Sequence, residues 1–221
     1  MKTFKELQEG VYDPNIFKAI FLAGGPGSGK SYVTKKITGG LGLKIINSDP
    51  HFEKLIKGAG LSLNMPDAEL DSREPLRLRA KEVSDKRKAN YVEGRLGIII
   101  DGTAKNADKL ISQSIGLMGL GYDTHMIFVN TSIDVALQRN AERSRSVPTP
   151  TVVNSWKAVQ NNIGRFSQHF TGGRFVVVDN NDVSEDELAK VQKIIRRLVK
   201  KKVTNTRATN WISMELAKKR R

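Results

Sequence analysis

The chain has 221 residues, 38% of them apolar and 27% charged, the proportions of a folded globular protein with one sizeable core and length left for a tail or small lid. It contains no cysteine, which excludes a disulfide framework and any thiolate ligand or nucleophile. No apolar run approaches the roughly 18 residues of a membrane span, and the charged start, Met1 to Glu9, lacks the apolar core of a signal peptide. A cytoplasmic setting without membrane contact is expected.

The net charge of +14 is unevenly spread. Leu188 to Arg221 holds twelve Lys or Arg and one acid, a net of +11, whereas the other 187 residues carry 25 basic and 22 acidic groups, a net of +3. A basic C-terminal end suits an anionic partner such as nucleic acid. A solvated helix face with a frayed terminus accounts for the same composition.

In chain order, Phe17 to Ala23 is an apolar run that reads as a buried strand, and Ser31 to Ile37 continues as a helix. A second strand is expected over Leu43 to Asn47 and a helix over His51 to Lys57. A looser segment follows, with Gly58, Gly60 and Pro66. The charged stretch Glu74 to Val92 predicts a long helix with Pro75 in its first turn. Next come a strand at Leu96 to Asp101, a helix from Ala107 to Met118, a strand at Thr124 to Val129 and a helix from Ile133 to Arg143. A Pro-bearing loop at Val147 to Pro150 leads into a helix reaching about Phe166, and Arg174 to Asp179 is the last strand. Ser184 and Glu187 have the spacing of a capping box. They open a helix whose apolar positions (Leu188, Val191, Ile194, Ile195, Leu198 and Val199) follow the helical period, with Lys190, Lys193, Arg196, Arg197, Lys200 and Lys201 on the other face.

Near-continuous apolar strands separated by helices predict an α/β fold, a parallel sheet of about five strands covered on both faces, with a basic helical tail. The expected organisation is an N-terminal extension over 1–15, one domain over 16–202 with a lid at about 139–150, and a basic appendage over 203–221. Trp211, Ile212, Met214 and Leu216 in that appendage are able to dock.

Between the first strand and helix lies Gly24-Gly25-Pro26-Gly27-Ser28-Gly29-Lys30-Ser31, a complete G-x-x-x-x-G-K-[ST] octet. Placed between strand and helix, such a loop directs backbone N–H groups and a helix N-terminus at an anion. Lys30 is expected on the β- and γ-phosphates of ATP and the Ser31 hydroxyl on Mg²⁺. A chance Gly-rich turn is the bland alternative. Tyr32 is a candidate to stack on a base, as is Phe52, for which core packing competes.

Ligands of an open parallel sheet bind at the C-terminal ends of its strands. There the second strand delivers Asp49 and the third Asp101. Phosphoryl transfer uses one carboxylate to accept the proton of the attacking hydroxyl and another to hold Mg²⁺ or orient groups. An N-cap role for Asp49 and a turn role for Asp101 are the structural alternatives. Positive charge for the transferring group is sought in Arg139, Arg143 and Arg145. Arg139 and Arg143 stand i, i+4 on the expected helix, although they could instead form an exposed basic face paired with Asp134 and Glu142. His51, His125 and His169 lack metal-like spacing and read as structural.

Together the phosphate loop, Ile45-Ile46-Asn47-Ser48-Asp49, Ile100-Asp101-Gly102-Thr103 and Arg139-Asn140-x-x-Arg143…Val147-Pro148 resemble the phage-type 5′-hydroxyl polynucleotide kinases. The zeta-toxin-like kinases share much of this pattern, including Gly121-Tyr122 before the fourth strand. The resemblance, from about Ile20 to Phe166, implies a kinase-type P-loop NTPase fold. It makes Asp49 the general base, Arg143 the lid arginine on the donor phosphates and Asp101 a supporting active-site acid. Arg139 is a further candidate contact to the nucleotide, and Ser31 and Asp101 are the candidate metal ligands. The implied activity is transfer of the ATP γ-phosphate to a polynucleotide 5′-hydroxyl, in a host cell's cytoplasm if the chain is phage-encoded. A small acceptor, a nucleoside or nucleotide sugar, is the alternative. One departure bears on the acceptor: where polynucleotide kinases carry an arginine three to four residues after the base, this chain has Phe52, Glu53 and Lys54. An ATPase bound to nucleic acid through the basic tail, and a nucleotide-binding module without turnover, are the other classes to weigh.

Overall fold

In the computed structural model, residues 10–143 and 145–219 are described. Five strands, β1 (Lys18–Ala23), β2 (Lys44–Ile46), β3 (Ile98–Asp101), β4 (Asp123–Asn130) and β5 (Phe175–Asp179), form one sheet in the order β2-β3-β1-β4-β5. Every pairing is parallel, which brings all five C-terminal ends to one edge, as the apolar runs predict.

Alternation along β1 explains why its strand shows no polar face. Ile20 and Leu22 point into one core with α1 (Lys30–Thr38) and α8 (Glu185–Lys200), through Val33, Ile37, Leu188, Ile195 and Val199. Ala19, Phe21 and Ala23 point into the other, with α4 (Ala107–Gly119), α6 (Thr149–Asn161) and α7 (Ile163–His169), through Leu110, Leu117, Val159 and Phe166. A third, smaller cluster of Phe52, Ile56, Met65 and Ala80 joins α2 (Asp49–Gly58) to α3 (Leu70–Glu93) beyond the β2 edge. Phe52 is thus a core residue.

Three expectations need correction. The long helix α3 starts at Leu70, four residues early, and holds Pro75 inside it rather than in its first turn; a proline there forgoes only one hydrogen bond close to the helix start. The helix expected to reach Arg143 is α5 (Ile133–Ala141) and stops at a Glu142 C-cap. Asn140 stops it by turning its amide onto the returning chain, donating to Val147 O at 2.8 Å and accepting from Val147 N at 3.1 Å. Arg143 therefore lies in a loop and shares no helical face with Arg139. The helix expected to reach Phe166 is two helices, broken at Asn162, which is the C-cap of α6 and the N-cap of α7.

The capping box of Ser184 and Glu187 is present, and Lys190, Lys193, Arg196, Arg197 and Lys200 of α8 face outward, exposed. Beyond Val203, α9 (Thr206–Lys219) lies against the body. Trp211 packs edge-on to Phe17 with ring centroids 5.5 Å apart, and Ala208 is fully buried. At the other terminus Asp13 accepts from Gly97 N at 3.2 Å. Residues 1–9 of the expected extension, and Arg220 and Arg221 of the tail, lie outside the described residues. Among the described residues no helix is long and apolar enough to cross a membrane.

Of the histidines, His125 is buried in β4, its imidazole held down to about 4 by burial. His169 Nε2 bonds Ser114 Oγ at 2.9 Å. Both act in packing.

Candidate active site

The loop between β1 and α1 takes its shape from glycines where no other residue can stand. Gly27 has φ 77°, and a Cβ there would sit 2.0 Å from Ala136 O. Gly29 has φ 78°, and its Cβ would sit 2.2 Å from Asn180 Nδ2. Both positions combine a left-handed backbone with close approach. Ser28 at the apex is buried, and its carbonyl accepts from Thr131 Oγ1 at 3.2 Å and Asn180 Nδ2 at 2.7 Å. The ends of β4 and β5 thereby hold the loop rigid from behind.

Lys30 opens α1, and its Nζ donates to Gly24 O at 2.6 Å and Gly25 O at 3.3 Å. Burial pushes the Lys30 ammonium below the usual lysine range and Arg143 adds to that, against the opposing pull of Asp101 and Asp49. A cation left with only carbonyl partners in a partly dry loop is poised for an anion.

The two strand-end acids meet this loop across a cleft of about 580 Å³. Asp101 ends β3, and its carboxyl is raised above the usual range by burial first and Asp49 second, while Lys30 and an Asn47 hydrogen bond oppose the shift. Asn47 links the acids: its Nδ2 donates to Asp101 Oδ2 at 2.7 Å and its Oδ1 accepts from Asp49 N at 2.7 Å. Asp49 is the first residue of α2, after a Ser48 N-cap. Its carboxylate faces the cleft and pairs with Arg145 at 3.0 Å.

Of the residues expected from sequence, Gly25, Pro26, Gly27, Gly29, Lys30, Ser31, Tyr32, Asp49, Asp101, Arg139 and Arg143 line this cleft. Gly24 and Ser28 shape the loop without lining it. Arg139 donates to Asn180 O at 2.6 Å and Asn181 O at 3.0 Å, and with Tyr32, Asn180, Asp182 and Val183 it also borders a recess beside the loop. Tyr32 is half exposed there, its hydroxyl donating to Glu185 at 3.2 Å.

Mg²⁺ prefers oxygen ligands, takes one or two from protein and completes its shell with water and phosphate. The Ser31 hydroxyl and Asp101 carboxylate, both on the cleft, match that demand. Among the described residues no cluster of three or more His, Cys, Asp or Glu offers a complete protein cage.

The rest of the cleft lining adds residues that were assigned no role from sequence. Glu53 pairs with Lys57 along α2 at 3.2 Å and Lys54 is exposed; neither lines the cleft. Arg77 of α3 does, its guanidinium 4.5 Å over the Phe52 ring and 3.6 Å from Glu74. Met65, Thr103 and Lys105 also line it. Arg77 stands 28 residues from Asp49 with no local spacing to mark it. Asn47 carried a weak signal, as a polar residue at a strand end two residues before the candidate base.

Several solved structures share this architecture at low identity. A protein from Chloroflexus aurantiacus assigned as a kinase matches with a TM-score of 0.58 at 17% identity, covering 83% of this chain and 97% of its own. The deoxyadenosine kinase of M. mycoides, with bound dATP, matches with a TM-score of 0.50 at 19% identity, covering 80% of this chain and 99% of its own. At these identities the likeness is one of fold. In sequence, the cytidylate kinase of Ignicoccus hospitalis is 35% identical over 85 residues, 35% of this chain and 47% of that protein, so the chain spans about half the length of this relative. The family model described as Zeta toxin matches residues 8–186. That match takes in the phosphate loop, both strand-end acids and the 139–150 segment expected to form a lid, and the protein belongs to the zeta toxin family.

Proposed function

We propose that the protein is an ATP- and Mg²⁺-dependent phosphotransferase that moves the γ-phosphate of ATP to a hydroxyl. The observation that carries this reading is the convergence of Lys30, Asp49, Asp101 and Arg143 on one cleft floored by the phosphate loop. Lys30 exchanges its two carbonyl partners for the β- and γ-phosphates. The acceptor hydroxyl oxygen forms a bond to the γ-phosphorus, its proton passes to the Asp49 carboxylate, and the bond to the β–γ bridging oxygen breaks to leave ADP. Arg143 stabilises the charge spread over the transferring group, and Arg139 fixes the recess beside the loop for the rest of the nucleotide. Ser31 and Asp101 would hold Mg²⁺, which would supply charge neutralisation when bound.

The cleft lining holds six cationic side chains (Lys30, Arg77, Lys105, Arg139, Arg143 and Arg145) and two acids, Asp49 and Asp101. Arg77 and Lys105 add positive charge to the lining beyond the phosphate loop and the three arginines around residues 139–145, which favours an acceptor that itself carries phosphate. We take a small molecule of the nucleotide or nucleotide-sugar class as the leading acceptor, because α2 turns no cation into the cleft to grip a polynucleotide end. One observation favours a polynucleotide 5′-hydroxyl instead. A second recess of about 350 Å³ shares Asp101, Thr103 and Lys105 with the cleft and continues past Lys109, giving a chain a basic path outward; the exposed basic face of α8 adds to that reading.

Incubation with γ-labelled ATP, Mg²⁺ and a panel of nucleosides, nucleotides, nucleotide sugars and 5′-hydroxyl DNA and RNA tests both. Label on a small molecule supports the first acceptor and label on an oligonucleotide end the second. If ATP is hydrolysed with nothing labelled, and Asp49→Asn changes nothing, the kinase reading fails.

A further inference from the structure

Three arginines flank the lid, and they are held very differently. Arg139 is tied to two main-chain carbonyls after β5. Arg143 is exposed. Arg145 is mostly buried, its side chain 15% exposed, and forms an ion pair with Asp49, whose side chain is 59% exposed. The candidate base thus meets an arginine from the lid, and that arginine also lines the cleft where the donor phosphates are expected.

The lid is built to let that side chain change partner. Asn140 clips the loop shut at Val147 with two hydrogen bonds, and Val147 packs on the α2–α3 cluster. Arg145 stands two residues before the clip, so its long side chain can swing while the base of the lid stays in place. An ion pair to a solvent-exposed carboxylate is weak. A terminal phosphate offers more charge and three oxygens in a geometry that a guanidinium grips bidentately.

We propose that Arg145 is a positioning residue with two partners, the Asp49 carboxylate while the donor site is empty and the terminal phosphate of the donor once it is filled. The idea rests on the kinase reading above. With no triphosphate bound, one Asp49 oxygen is occupied by Arg145 and an acceptor hydroxyl meets a shielded base. A bound triphosphate draws Arg145 away and frees Asp49, so the donor binds first. The base becomes available only when there is a phosphoryl group to transfer.

Calorimetric titration with Mg²⁺ and either the β,γ-imido analogue of ATP or ADP tests this on the wild type, Arg145→Ala and Arg145→Ala/Asp49→Asn. Arg145→Ala should weaken the triphosphate analogue by about tenfold or more, the scale of one charge-assisted hydrogen bond. ADP, which lacks the terminal phosphate, should bind within about twofold of wild type, and its binding also reports an intact fold. The double variant should stay as weak as the single one. If Arg145 only neutralised Asp49, removing both charges would restore wild-type affinity for the triphosphate. That restoration, or an equal loss for ADP, overturns the proposal and leaves the kinase reading standing. A wild-type protein that binds neither nucleotide overturns both.

Discussion

On the donor side of the cleft, loop shape comes from the main chain. Two left-handed glycines, an apical carbonyl gripped from β4 and β5, and a lysine on the first turn of α1 all fall within seven consecutive residues or bond directly to them. Elsewhere on the lining, where the acceptor is expected, Met65, Arg77 and Lys105 come from three separate segments. A wall of main chain has little freedom to change without losing its ligand, whereas a wall of side chains can exchange residues while the fold persists. Relatives with one fold can therefore share a donor and differ in acceptor.

The largest effects are expected on the donor side. Lys30→Ala should lower phosphoryl transfer by about 10³-fold or more, the scale of a cation placed on the transferring group, measured by label transfer from γ-labelled ATP. Asp49→Asn stands at the junction of the two sides and should cost about 10²-fold through loss of the proton acceptor, with Mg·ATP affinity not weakened in a calorimetric titration. A loss of nucleotide affinity as large as the loss of rate would place Asp49 on the donor side and blur the contrast.

Gly27→Ala separates backbone from side-chain chemistry, since it removes no functional group. With its Cβ against Ala136 O at 2.0 Å and φ at 77°, the loop must deform. The expected costs are about 1–3 kcal/mol of stability and a loss of ATP affinity; thermal melts and nucleotide titration read the two. A variant that binds ATP normally would show that the loop is less rigid than its contacts imply.

The same contrast explains what could be read from sequence. The phosphate loop was legible because its residues are consecutive. Asp49 and Asp101 were legible because a parallel sheet gathers strand ends at one edge. The succession of strands and helices along the chain and the capping box of α8 followed from hydrophobic period and a three-residue spacing. Arg77 was not assigned a role, and Arg145 was a candidate cation without its pairing to Asp49, because each depends on how α3 and the 139–150 segment pack, and no local spacing encodes that. The end of α5 was misplaced for a related reason: Ile133 to Arg143 keeps a helical pattern, and only the Asn140 clip to Val147 ends it. The tail beyond Val203 showed apolar residues but no partner, since Phe17, its aromatic neighbour, lies at the other end of the chain.

Arg77→Ala probes the acceptor side alone. It should raise the acceptor KM by about tenfold, one charge-assisted contact, with the KM for ATP unchanged. Arg77→Lys should recover only part of the loss, because a point charge does not replace a planar fork. An unchanged acceptor KM would remove Arg77 from the site and with it the main reason to expect a phosphate-bearing acceptor.

The smallest effect is expected where the two sides are stitched together, at Asn47. Burial already raises the Asp101 carboxyl, and the Asn47 hydrogen bond is one of two influences, with Lys30, that hold it down. Asn47→Ala removes that donor, so Asp101 should take up its proton at a higher pH than in the wild type. An ionised Asp101 is the form able to hold Mg²⁺, so the acid limb of the rate profile should move toward neutral pH while the rate at alkaline pH falls little. The variant also frees the Asp49 N–H from its 2.7 Å partner, and any loosening of the base should appear as a uniform drop across the profile. A shifted limb therefore assigns Asn47 to Asp101, and a uniform drop assigns it to Asp49. The wild-type limb with no drop would show that the two strand ends keep their places without it.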